Sequence, residues 1–233
     1  MLKIFKQFLK TFFKKRCILC KKECKKGHLL CEECFNKLII ESKNNKIIRR
    51  KIYNNYNVYS CFFYEKEIKL LIKELKYNRN KKVAKILAII LNNLIKKAEE
   101  NNNNESNNQS KEIIPVPIHF IRKLNRQFNQ MELVTIELSK ISKMRYNFKF
   151  IKKIKYTKPL YKLNREKRIK EIKNAFKVNK GKGKGKEERK IIIIDDIITT
   201  GSTLSECVKT INKAGYKEIE LYTIASTRIK EVE

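Results

Sequence analysis

The stretch IIIIDDIITTGST, Ile191 to Thr203, constrains the fold more than any other part of the chain. Four consecutive isoleucines read as a strand buried on both faces, the habit of parallel sheets covered by helices. Around them the pattern alternates, with a strand over Lys190 to Ile194, a helix over Thr203 to Ala214 and a strand over Glu218 to Ala225. That alternation predicts an α/β fold, a parallel sheet flanked by helices. Open sheets of this kind bind ligands beyond the carboxyl ends of their strands, so Asp195 and Asp196 are expected at a binding edge.

The residues after the carboxylates set the chemistry. Thr199, Thr200, Gly201, Ser202 and Thr203 lead into the predicted helix, where unpaired backbone amides and the positive end of the helix dipole converge. That point suits a phosphate, with Gly201 allowing close backbone approach and the hydroxyls adding donors. Asp195 and Asp196 cannot serve the same anion, because like charges repel. They suit neutral hydroxyls or a divalent metal. A ligand carrying ribose hydroxyls beside a phosphate meets both demands.

A second constellation lies near the start. Cys17-x2-Cys20 and Cys31-x2-Cys34 are separated by ten residues, with Cys24 and His28 inside the loop. Paired CxxC knuckles supply four thiolates for a tetrahedral zinc, and so short a stretch has too little core to fold otherwise. A closed site of this kind is structural; Cys24 or His28 could replace one ligand. Cys61 and Cys207 sit in apolar surroundings and read as small core residues.

Between these landmarks, a polar stretch runs over Ser42 to Asn57. A helical pattern begins at Glu65, with Ile68, Leu71, Ile72 and Leu75 on one face. It breaks over Tyr77 to Asn80 and resumes through Val83, Ile86, Leu87, Ile90, Leu91 and Leu94. NNNNESNNQSK is low-complexity and predicts a disordered loop near residues 99–111. EIIPVPI follows as a buried strand stopped by its prolines. Helices are expected over Arg126 to Ile141 and Arg165 to Lys173, with a short strand over Ala175 to Val178. GKGKGKEER lacks the spacing of a nucleoside-triphosphate loop and reads as a flexible turn.

The 233 residues carry 56 Lys and Arg against 24 Asp and Glu, a formal charge of +32. Two causes fit: a surface for a polyanion such as nucleic acid, or a coding bias that fills the whole chain with Ile, Asn and Lys. No segment reaches the roughly 18 apolar residues of a membrane span. MLKIFKQFLKTFFKK has the spacing of a short amphipathic helix, and its lysines interrupt any signal-peptide core. Seven cysteines without an export signal favour metal binding over disulfides, and a cytoplasmic location is expected.

IIIIDDIITTGST resembles, position by position, the ribose-phosphate signature of type I phosphoribosyltransferases. CILC and CEEC at the front, IIPVPIHFIRKLNRQFNQ in the middle and NREKRIKEIKNAFKV before the signature are similar, in order and spacing, to the ComF family, a zinc-bearing branch of those enzymes. The resemblance covers most of residues 17 to 225. It implies a small N-terminal zinc-knuckle subdomain over residues 1–45 and a phosphoribosyltransferase-like domain over residues 55–233. It also implies that Asp195 and Asp196 meet the ribose hydroxyls of 5-phosphoribosyl 1-pyrophosphate and that Thr199 to Thr203 wrap its 5-phosphate. The segment after IIPVP then corresponds to the pyrophosphate loop, where Arg122, Lys123 and Arg126 offer cations and His119 a further donor.

The chain departs from the family at Gln127, where a glycine is usual, at Leu160, where glutamine is, and at Glu171, where asparagine is. These departures bear on catalysis more than on fold. Two functions follow. The first is a magnesium-dependent phosphoribosyltransferase, or binder of phosphoribosyl pyrophosphate, whose acceptor the sequence does not name. The second, from the association of ComF proteins with DNA uptake and competence machinery, is a non-catalytic protein handling single-stranded DNA on the same fold.

Overall fold

The computed structural model describes residues 16–78, 80–101, 110–121, 128–157, 165–179 and 189–228. The expected amphipathic helix of residues 1–15, the cations Arg122, Lys123 and Arg126, the departures Gln127 and Leu160, and nearly all of GKGKGKEER lie outside them. A central sheet runs in the order β1 (Ile48–Lys51), β2 (Asn57–Phe63), β8 (Ile219–Ser226), β7 (Arg189–Ile198), β3 (Ser110–Pro115) and β4 (Arg145–Tyr146). Only β1 is antiparallel to its neighbour; every other pairing in this sheet is parallel. A separate antiparallel pair joins β5 (Ile151–Lys153) to β6 (Phe176–Val178).

Side-chain alternation along β7 divides the core in two. Ile192 and Ile194 face a layer built from α2 (Lys66–Asn78), α3 (Lys81–Asn101) and α4 (Gln130–Ser142). Ile191 and Ile193 face α6 (Ser202–Lys213), α5 (Arg165–Ile172) and the β5–β6 pair. All four isoleucines are at most 1% exposed, and each such burial stabilises the fold by about 1.5–3 kcal/mol. The longest helix, α3, presents Leu87, Ile90, Leu91 and Leu94 to the first layer. Cys17, Leu30 and Leu38 belong to that same buried cluster, with Leu38 on α1 (Glu32–Asn44), so the cysteine-bearing segment shares its core with the main sheet.

Several expectations change. The polar stretch over Ser42 to Asn57 contains the end of α1, the whole of β1 and the start of β2. β2 itself, NVYSCFF, shows no alternation because it is buried on both faces beside β8. Lys111 and Ser110, placed in the low-complexity loop, already pair with β7. The helix expected from Arg126 begins at Gln130, because the Asn129 side chain caps it by accepting from the amide of Met131 at 3.1 Å. The strand expected to end at Ile194 continues to Ile198: Ile197 and Ile198 still pair with Ala225 and Ser226 of β8. Asp195 and Asp196 therefore lie within the last turns of the ladder, not after it.

Candidate functional site

Four groups meet at the carboxyl end of β7: the two aspartates, the end of α2, the start of α4 and the loop into α6. Asp195 is half-buried, and one of its oxygens accepts from the amide of Asp196 at 2.8 Å. Burial, then the charge of Asp196 beside it, pushes the Asp195 carboxyl well above the usual carboxylate range, against the pull of Lys76 and Lys153. Asp196 is 7% exposed.

Asp196 turns towards the α2 and α4 layer. Its Oδ2 lies 2.9 Å from the ammonium of Lys76 and accepts from Nε2 of Gln130 at 3.1 Å. Burial opposes the charge on Lys76, yet the carboxylate of Asp196, with Asp195 further off, holds the ammonium above its ordinary range. Stranding one member of such a buried pair costs about 3–5 kcal/mol. Oε1 of Gln130 is buried and, among the described residues, has no hydrogen-bond partner, a local cost of about 1–3 kcal/mol. Asn129 anchors this corner by donating to the carbonyl of Val116, just past β3, at 3.2 Å.

The anion-binding expectation falls on the turn from β7 into α6. Thr199 is exposed and its hydroxyl accepts from Arg168 of α5 at 3.2 Å. The hydroxyls of Thr200 and Ser202 are 3.0 Å apart. Gly201 caps α6 with a φ of +76°, in the left-handed region. A Cβ there would meet Cγ2 of Ile52 at 2.7 Å, so both conformation and space require glycine. The first helical bond runs from the amide of Ser205 to the carbonyl of Gly201 at 2.8 Å, which leaves the amides of Ser202, Thr203 and Leu204 outside the intrahelical ladder.

The sequence singled out Asp195, Asp196 and Thr199 to Thr203, which follow one another along the end of β7 and the turn into α6, with Asp196 facing α2 and α4. It did not single out Lys76, Gln130 or Arg168 as site residues. Lys76 is one of 56 basic residues, and nothing local marks it as the partner of a residue on a distant strand. Gln130 was visible only as part of the RQFNQ motif. His119 lies on the segment after β3, where it accepts from the amide of Ile121 at 3.2 Å and packs edge-on against Tyr156. The backbone carbonyl of Glu171 accepts from Lys155.

At the other end of the molecule, the ligand atoms of Cys17, Cys20, Cys31 and Cys34 all lie within 4.8 Å of one another. A tetrahedron of thiolates at zinc–sulfur length has sulfurs about 3.8 Å apart, and the Cys20 and Cys31 sulfurs stand at 3.5 Å. These four could hold a metal ion. Cys24 and His28 are not part of the group, although Cys24 is buried beside it. Cys61 and Cys207 are core residues of β2 and α6. No helix among the described residues is long and apolar enough to cross a membrane.

With the geometry in place, similarity decides the family. A family model described as phosphoribosyl transferase domain matches residues 77–233, more than half of the chain. The chain belongs to the phosphoribosyl transferase domain family. Competence protein F of Haemophilus influenzae is 34% identical over 113 residues, covering 48% of this chain and 49% of that protein. This chain thus spans about half the length of that relative. The DNA utilization protein YhgH of Escherichia coli O157:H7 is 26% identical over 164 residues, 70% of this chain and 69% of that one. Together with the domain match, these relatives support the resemblance to the ComF family. A hypoxanthine phosphoribosyltransferase of Staphylococcus aureus aligns at 11% identity and a TM-score of 0.33 over 66% of this chain and 70% of that one, too remote a match to bear on the site. The phosphoribosyltransferase match begins at Tyr77, so the cysteine cluster, β1, β2 and nearly all of α2 fall outside the shared domain.

Proposed function

We propose that this ComF-like chain binds 5-phosphoribosyl 1-pyrophosphate together with magnesium and transfers the phosphoribosyl group to an acceptor. The observation that carries the reading is the placing, at the end of one strand, of two carboxylates, Asp195 and Asp196, just ahead of the hydroxyl-rich turn Thr199 to Thr203 that opens α6. Oxygen-rich groups fit magnesium, which takes few protein carboxylates and keeps ligand phosphates and water. With Oδ2 of Asp196 engaged by Lys76 and Gln130, Asp195 is the carboxylate best able to share that ion. Bound there, magnesium would supply charge neutralisation for a departing diphosphate.

The chain's own groups have distinct tasks. Amides and hydroxyls from Thr199 to Thr203 hold the 5-phosphate, and the aspartates fix the ribose hydroxyls. Transfer breaks the bond from ribose C1 to the diphosphate oxygen, whose electron pair leaves with pyrophosphate, while the acceptor's lone pair forms the new bond to C1. Positive charge developing on the sugar ring is favoured by carboxylates nearby. The decisive measurement is calorimetric titration of phosphoribosyl pyrophosphate with magnesium into the wild type and into the Asp195→Asn, Asp196→Asn variant. Binding by the first and its loss in the second is expected; no binding by either removes the reading.

A second function is favoured by the two relatives, one a competence protein and the other a DNA utilization protein, and by the +32 charge. In it the chain handles single-stranded DNA beside competence machinery. Single-strand affinity measured against salt should then fall steeply, with a slope of about −0.7 per phosphate contacted. A shallow slope would assign the charge to composition alone. For the four-cysteine group we propose structural zinc, testable by elemental analysis of the wild type and Cys17→Ser.

A further inference from the structure

We infer that Lys76 is the resident counter-cation of the candidate site, setting how much divalent metal the site needs before it accepts a polyanionic ribose phosphate. The inference rests on the phosphoribosyl pyrophosphate reading and deepens it. Its basis is geometric. Lys76 stands in the last turn of α2, where the helix dipole favours a cation, and its ammonium lies 2.9 Å from Oδ2 of Asp196 with both side chains largely withdrawn from water. Gln130 donates to the same oxygen. Both contacts converge on Oδ2, so among the described residues Oδ1 is the oxygen left for a ligand hydroxyl. On the same side chain as that donor, Oε1 of Gln130 is buried and has no hydrogen-bond partner among the described residues.

Charge decides what Lys76 does there. Once a divalent ion has displaced the proton of Asp195, the two carboxylates and the ammonium in contact with Asp196 sum to a single negative charge, with Lys153 acting on Asp195 from further off, whereas without Lys76 a ligand bearing a phosphate and a diphosphate would approach two. With both side chains of the pair largely withdrawn from water, that difference is weakly screened. A divalent ion then has to make up the missing positive charge. Lys76 is a positioning and charge-setting group; it takes no part in bond making.

The test compares Lys76→Gln, which removes the charge and carries an amide donor one bond shorter in reach, with Lys76→Arg, which keeps the charge. Phosphoribosyl pyrophosphate binding is measured by calorimetry across a magnesium series, with thermal melts confirming folding. Lys76→Gln is expected to bind about tenfold or more weakly at low magnesium and to recover as magnesium rises; Lys76→Arg should follow the wild type. On the wild type alone, metal-free binding of ribose 5-phosphate is expected, which keeps the test decisive should Lys76→Gln not fold. Wild-type binding with an unchanged magnesium requirement in folded Lys76→Gln overturns the role of Lys76 alone, as does an absence of metal-free ribose 5-phosphate binding by a wild type that binds phosphoribosyl pyrophosphate with magnesium. Failure of the wild type to bind phosphoribosyl pyrophosphate at any magnesium level overturns the parent reading and this inference together.

Discussion

Asp195 and Asp196 are neighbours in sequence with opposite circumstances. Asp196 has a largely withdrawn ammonium at 2.9 Å, while Asp195 has burial and a like charge against it. The folded state therefore holds a proton on Asp195 more tightly than the unfolded chain, whose carboxyl titrates at about 4. Below that pH the desolvation of Asp195 costs nothing. As pH rises from there through the raised folded value, folding stability is lost. Asp195→Asn should accordingly raise stability at pH 8 by on the order of 1–3 kcal/mol, with the gain shrinking towards pH 4. Urea unfolding across that interval reads it, and a gain that does not change with pH would contradict the assignment. Such a substitution would trade stability for the proposed sugar contact, a common relation between a site and its scaffold.

At the scale of elements, the turn from β7 to α6 and the cap of α4 hold the site in register. Gly201→Ala places a methyl against Ile52 and forces a left-handed φ on alanine, so a loss of about 1–3 kcal/mol is expected, seen as a lower thermal midpoint. Asn129→Ala removes the cap on α4 and strands the Val116 carbonyl, costing about 1–2 kcal/mol and weakening ligand binding through Gln130. Retention of full stability in both would show these elements to be set by packing elsewhere. Much of this was legible. Four isoleucines, two aspartates and a hydroxyl-rich turn specify strand, edge and helix start from local pattern alone. β2 was not, because NVYSCFF is buried on both faces and has no period to read. Its place beside β8 depends on partners more than 150 residues away, as in Ser60 with Thr223 at 2.6 Å and a separation of 163. Lys76 was invisible for the same reason: its meaning comes from a strand on the far side of the sequence.

The whole molecule joins its two chemical centres through one core. Cys17, Leu30 and Leu38 belong to the same buried cluster as Leu71, Leu75 and Leu87, so the cysteine segment and the layer that carries Lys76 stabilise each other. Chelation of a bound metal, or Cys17→Ser, is expected to lower the melting temperature of the entire chain in a single transition. Two separated transitions would show instead that the cysteine segment unfolds by itself. A further consequence follows from the extension of the β7 ladder past both aspartates to Ile198. The floor of the candidate site is cross-braced to its neighbours like a workbench, and has little freedom to reshape itself around a different ligand. On the proposed reading, diversification towards other acceptors would then proceed by remodelling the periphery, leaving the acidic doublet as a fixed fixture against which new chemistries are tried.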